Sequence, residues 1–244
     1  MESCGILKSG LPTGKEDHMK NPDYKTFALK HSSRKKESIE WSITYHYNAP
    51  DTKNPRLLLI GDSICNGYQQ ETRTVLAQEV NISFWASSKC VTDPDYLREL
   101  DFLLSGAHFD FIYFNNGLHS LKSDMEEYKC AFASTIRFIR EKCPDARLSV
   151  VTSTPLVHEE NTAVVRKLNA IAVSIASELG LDVLDLFAVM DPLDRTNWRD
   201  EYHYGPAAIR MQAETIAAFF RKHNDGKCRI DQEGTATGPD GAIQ

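Results

Sequence analysis

The residue types that could do chemistry fall into two short motifs far apart in this 244-residue chain. Gly61-Asp62-Ser63 closes an apolar run, so Ser63 stands where a strand turns into a helix, with its hydroxyl exposed and its N–H at a helix start. A serine so placed is either a nucleophile or a helix cap. Asp200-Glu201-Tyr202-His203 precedes the last helical pattern. An Asp three residues before a His can accept a bond from one imidazole nitrogen, leaving the other free to act as a base. Either motif alone is commonplace, since many such Asp and His residues simply face solvent. Together they are far more specific, because a serine after the first strand and an Asp/His pair before the last helix can meet across one edge of a sheet. Two other chemistries fail on pattern. Gly61 to Gly67 lacks G-x-G-x-x-G spacing and no Gly-Lys-Ser/Thr follows, which removes the phosphate loops. Cys65 stands where a G-x-S-x-G elbow would need its second glycine.

The elements that must position these residues follow from hydrophobic periodicity. Leu57–Ile60 is a short unbroken apolar run, as expected of a strand buried on both faces, and similar runs follow at Ile82–Ala86, Phe109–Phe114, Leu148–Val151 and Val183–Leu186. Between them lie helical stripes. Ser123-Asp124-Met125-Glu126 reads as a capping box, after which Met125, Tyr128, Phe132, Ile136 and Ile139 recur at helical steps. His158-Glu159-Glu160 is a helix start with acids at the positive end of the dipole. Val164, Leu168, Ala172, Ile175 and Leu179 follow as a stripe stopped by Gly180. Gly205-Pro206 opens the last helix, with Ile209, Ala213, Ile216 and Phe220 inward. Strand and helix alternate about five times, which predicts a parallel sheet covered on both faces. Ligands then bind beyond the carboxyl ends of the strands, where Ser63 lies.

In this order and placement the motifs resemble those of the GDSL-type, or SGNH, hydrolase superfamily over about residues 55–222. The resemblance implies a three-layer α/β/α flavodoxin-like sandwich, here with a five-stranded mainly parallel sheet. It implies Ser63 as nucleophile, His203 as general base and Asp200 as its orienting carboxylate, with no cofactor. Members of the superfamily are esterases, lipases, thioesterases and carbohydrate deacetylases. The middle of the chain departs from the pattern. The family's second block supplies a glycine N–H to the oxyanion hole, yet no glycine lies between Gly67 and Gly106, which leaves the backbone N–H of Cys90 as a candidate. The third block, usually Gly-x-Asn-Asp, is matched by Gly117-Leu118-His119-Ser120, putting His119 at the Asn position. A neutral His119 imidazole N–H or the Asn115 amide could each donate to a developing oxyanion. Asp62, beside the nucleophile, joins Cys90, Asn115 and His119 as the expected oxyanion or substrate contacts.

Trp198, Tyr202 and Tyr204 surround the Asp/His pair, either as a stacking lip for substrate or as packing of the loop. The other histidines show no ligand spacing, so no metal is expected. A net charge of -6 argues against a general attraction to nucleic acid or anionic membranes, and no run is long enough to insert in a membrane. The first residues lack the apolar run of a secretory signal, and six cysteines without C-x-x-C spacing read as reduced thiols, so a cytoplasmic protein is expected. An exported protein with bridged cysteines is the alternative. Residues 1–54 read as an arm with an extended segment near 40–47, its basic run Ser33-Arg34-Lys35-Lys36 solvated; 55–223 as the catalytic domain; 224–244 as a disordered tail. The expected function is hydrolysis of a small or short-chain acyl ester, acetylated carbohydrate among the candidates, through an acyl-Ser63 intermediate. An acyltransferase on the same residues and a weakly catalytic binding module are the alternatives. Oligomeric state has no signature in the chain.

Overall fold

Leu57, Leu58, Leu59 and Ile60 are all buried, and they alternate between two cores: Leu57 and Leu59 join one, Leu58 and Ile60 the other. That alternation is the period of an extended chain, and an apolar residue at every position demands cover on both sides. The computed structural model describes residues 21–224. The run forms the centre of β2 (Arg56–Gly61) in a sheet ordered β1-β3-β2-β4-β5-β6. The other strands are β1 (Ser42–His46), β3 (Asn81–Ser87), β4 (Phe111–Phe114), β5 (Arg147–Val151) and β6 (Asp182–Leu184). β2 to β6 pair in parallel, and β1 adds itself antiparallel to β3, His46 opposite Ser83 and Ser42 opposite Ser87.

The sheet thus has six strands where five were expected, because the segment read as an extended arm is hydrogen-bonded into its edge. The five parallel strands are those the apolar runs predict, with shifted ends: β2, β3 and β5 run slightly longer and two others end differently. Phe109 precedes β4, and Leu186 opens the short helix α5 (Leu186–Met190) rather than ending a strand. Among the described residues six α-helices cover the sheet: α1 (Ser63–Val75), α2 (Tyr96–Ser105), α3 (Met125–Lys142), α4 (Glu159–Glu178), α5 and α6 (Pro206–Asn224). One core takes Phe132 and Ile136 of α3, Leu97 of α2 and Leu168 of α4; the other takes Tyr68 of α1 and Ile216 and Phe220 of α6. Each such fully buried side chain contributes on the order of 1.5–3 kcal/mol. The cap of α3 is Asp124, whose carboxylate accepts from the Glu126 and Glu127 N–H groups at 3.0 Å, so the helix starts one residue later than a Ser123 box would have it. Gly180 follows α4 with φ +65°, the left-handed conformation that stops a helix.

The strand order has a switch point. β2 leads through α1 to β3 on one side, and β3 leads back through α2 to β4 on the other. The loops leaving β2 and β4 diverge there and open a crevice above the sheet.

The basic run of the arm is not solvated throughout. Arg34 has a side chain only 4% exposed, ion-paired to Asp93 and Glu40 and donating to the Ser88 carbonyl at 2.9 Å. Residues 1–20 and 225–244, including most of the expected tail, lie outside the described residues. Cys65 and Cys90 are buried thiols and Cys143 is a partly buried one. Among the described residues no helix is long and apolar enough to cross a membrane.

Candidate active site

Gly61 must be glycine for local reasons. A Cβ there would lie 2.6 Å from the Cβ of Cys65, one helical turn on, so only a bare backbone lets β2 turn so sharply into α1. Asp62 is the N-cap of α1, its Oδ1 accepting the Ile64 N–H at 2.9 Å while Oδ2 accepts the Leu118 N–H at 3.4 Å. The capping that Ser63 could have done is therefore done by its neighbour. Ser63 is left at the first helical position with its hydroxyl directed to another partner.

That partner is His203. Its Nε2 lies 2.9 Å from Ser63 Oγ, and its Nδ1 lies 2.9 Å from both carboxylate oxygens of Asp200. An ionised carboxylate has no proton to give, so Nδ1 carries the hydrogen and Nε2 accepts from the serine. Asp200 Oδ1 also accepts the backbone N–H groups of Tyr202 and His203 at 2.9 Å. Desolvation works against its charge, but these bonds and the imidazole outweigh it and hold the Asp200 carboxyl well below the usual carboxylate range. The loop is fixed at its ends by the Trp198–Tyr204 bridge, by the Gly205 N–H donating to the Asn197 carbonyl at 2.7 Å, and by the buried Tyr204 hydroxyl donating to the Pro155 carbonyl at 2.8 Å. Tyr204 is thus packing, with Trp198 stacked on it at 4.8 Å; only Tyr202 of the three aromatics lines the cavity over Ser63. A hydroxyl, an imidazole and a carboxylate in a continuous bonded row can pass a proton from the hydroxyl to the imidazole as the oxygen forms a new bond.

The expected oxyanion donors fare differently. The Cys90 N–H donates to Asp93 Oδ2 at 2.8 Å and is not free. Asn115 is 8% exposed and gives its amide hydrogens to the Val151 carbonyl at 2.8 Å and to Ser153 Oγ at 2.9 Å, so its side chain braces the loop after β4 against β5. Gly117 belongs to the same brace: a Cβ there would lie 1.8 Å from Ser153 Oγ. His119 does line the cavity with Ser63 and His203, but its Nδ1 lies 2.7 Å from Glu37 Oε1. Facing a carboxylate, Nδ1 must hold the ring hydrogen of the neutral form. Nε2, buried and without a partner, then presents a lone pair, and the neutral imidazole N–H expected there is absent; only the doubly protonated ring would supply one. The N–H of Ser63 itself, at the first turn of α1, has no intrahelical acceptor and is the donor that the helix start provides.

Glu37 and Arg34 were not among the expected site residues. They belong to the arm, whose polar composition carries no signal of contact with the domain. Trp41, at the foot of β1, meets the His119 ring edge-on at 6.0 Å, and arm and domain together enclose about 570 Å3. Asn116 ties the remaining loops together: its Oδ1 accepts the Val91 N–H and the Ser120 hydroxyl, and its Nδ2 donates to the Lys89 carbonyl. Among the described residues no group of three or more His, Cys, Asp or Glu is placed to hold a metal ion.

Neither a protein-family model nor a curated protein sequence matches this chain. Solved structures do. A member of the lipolytic G-D-S-L family from Veillonella parvula superposes with a TM-score of 0.54 at 15% identity, over 68% of this chain and 98% of its own. An alpha/beta hydrolase enzyme from the metagenome of Lake Arreo gives 0.55 at 14%, over 67% and 94%. A family two carbohydrate esterase from Clostridium thermocellum gives 0.53 at 15%, over 69% of this chain and 63% of that one. The chain therefore has the α/β/α fold of the GDSL-type, or SGNH, hydrolases.

Proposed function

We propose that this protein is a serine ester hydrolase acting on small or short-chain acyl esters. The observation that carries the proposal is the unbroken row Ser63–His203–Asp200, in which both nitrogens of one imidazole are bonded at 2.9 Å. Solved structures of this fold include a lipolytic protein and a carbohydrate esterase, which supports ester chemistry on it. Ser63 Oγ attacks the ester carbonyl as its proton passes to His203 Nε2. The tetrahedral oxyanion forms beside the Ser63 N–H, and Asp200 balances the imidazolium. Collapse expels the alcohol, which leaves with the proton from His203, and Ser63 remains acylated. Water, deprotonated by the same nitrogen, then attacks the acyl carbon and releases the acid and free Ser63.

The test is covalent labelling. A fluorophosphonate should modify Ser63 alone, and Ser63→Ala should abolish both labelling and release of nitrophenol from p-nitrophenyl acetate while retaining the wild-type unfolding temperature. Modification of a different serine, or full activity in Ser63→Ala, overturns the proposal.

A further inference from the structure

The cavity over Ser63 is basic in a chain that is acidic overall. Among the residues that line it, Arg34, Lys35, Lys36 and Lys122 are cations and Glu37 is a carboxylate, whereas the whole chain carries a net charge of -6. Most of these charges are already answered. Arg34 is held by Asp93 and Glu40, Lys36 Nζ lies 3.3 Å from Asp95, and Glu37 is bonded to His119. Asp200, which does not line the cavity, is hydrogen-bonded by the His203 ring and by the Tyr202 and His203 N–H groups. Lys35 and Lys122 remain. Among the described residues neither has an ion-pair partner, both are exposed, and they reach the cavity from separate elements, Lys35 from the arm and Lys122 from the loop after β4.

Two unanswered ammonium groups lining one cavity attract an anion. We infer that the ester this site takes carries an anionic group, a carboxylate, sulfate or phosphate, near the scissile bond, and that Lys35 and Lys122 recognise it. The inference rests on the ester-hydrolase reading for its chemistry but not for its charge. Recognition of this kind acts on productive binding, and because both lysines are solvent-exposed it weakens as salt screens them.

The experiment compares matched pairs with the full-length protein. One pair places the anion on the acyl side, mono-4-nitrophenyl succinate against its neutral methyl ester. The other places it on the alcohol side, 4-acetoxybenzoate against its methyl ester. After correction for the uncatalysed rates, at least one anionic ester should exceed its neutral partner in kcat/KM by about tenfold or more at low ionic strength. The preference should shrink in 0.5 M salt and fall towards unity in Lys35→Gln/Lys122→Gln, with thermal unfolding run alongside. Calorimetric binding of the same pairs to Ser63→Ala gives a readout without turnover. Equal binding and equal turnover of both pairs, or a preference that survives the double substitution, overturn the inference and leave the hydrolase reading standing. Tighter binding of an anionic ester to Ser63→Ala, lost on removing the lysines, with no turnover of any ester by wild type, sustains the inference and overturns the hydrolase reading.

Discussion

Ser63 is spared the capping work that its position invites. Because Asp62 bonds the Ile64 N–H, the serine hydroxyl is free to lie 2.9 Å from His203, and the same two neighbours that look interchangeable in a sequence divide structure from chemistry between them. Asp200 shows what a short loop can do to a carboxylate. Its pKa is depressed, so it stays ionised as the pH falls through and below the ordinary carboxylate range; any stability it lends is present above the unfolded value of about 3.9 and is lost only as the pH drops through the lower folded value. Asp200 should therefore stay ionised at pH 5 to 6, and any fall in activity measured there should have another cause. Asp200→Asn should lower kcat by about 10³–10⁴ with a much smaller change in KM, because an amide leaves His203 with the wrong hydrogen arrangement. Steady-state kinetics on folded protein checks this; near-full activity would mean that Asp200 does not orient the base. Ser63, Asp200 and His203 could be read from the chain because each stands in a short motif whose geometry is local. Glu37 could not, because what makes it part of the site is a contact with His119, 82 residues away, and nothing in its surroundings announces it.

Helices α3, α4 and α6 and the parallel strands were readable for a similar reason: apolar periods report burial, and each of these helices carries a long stripe, whereas α2 and α5 were not read as helices. The arm carries no such stripe: Tyr24, Phe27, Ala28 and Leu29 pack against one core, Phe27 on Phe138 at 5.5 Å, but the stretch between Leu29 and Trp41 is held by charge. Arg34 anchors it. Desolvation works against the guanidinium charge, but Asp93 and Glu40 more than compensate and raise its pKa further. Glu40 is likewise held below the ordinary range: desolvation opposes its charge, and the Ser88 hydroxyl bond, the Glu37 N–H and Arg34 outweigh it. Removing one member of so buried a cluster strands the others, at a cost of about 3–5 kcal/mol. Arg34→Ala should release the stretch between Leu29 and Trp41 before it unfolds the domain. Trypsin should then cut after Lys35 and Lys36 at least tenfold faster than in wild type, with the sheet's circular dichroism unchanged. Equal cleavage rates would show that the arm is held elsewhere.

The whole molecule has a pH limit set at the end of the sheet opposite Ser63. His46 ends β1, stacks against Phe109 and faces Ser83 at 2.9 Å, while Arg56 donates to the same hydroxyl at 3.1 Å. Burial, with the Arg56 charge beside it, pushes the His46 pKa below the ordinary imidazole value. The neutral ring is the one the fold accepts. Its contribution is complete above the unfolded value of about 6.5 and is lost as the pH falls from there towards the folded value. The thermal midpoint of wild type should accordingly drop between pH 7.5 and 5.5 by more than that of His46→Gln, which keeps a bonding amide and cannot be charged. Parallel curves for the two proteins would remove His46 from the account.

The arm also has a place in time. Arg34 can dock only onto Ser88 and Asp93, and β1 can pair only with β3, whereas Glu37 needs the His119 turn that follows β4. A segment made before its partners thus waits unpaired until β3 and the turn after β4 have followed it. Until it settles, the serine site lacks a wall and the edge of β3 lies open to any other extended chain. Closing the sheet and finishing the cavity are one event in the life of this protein.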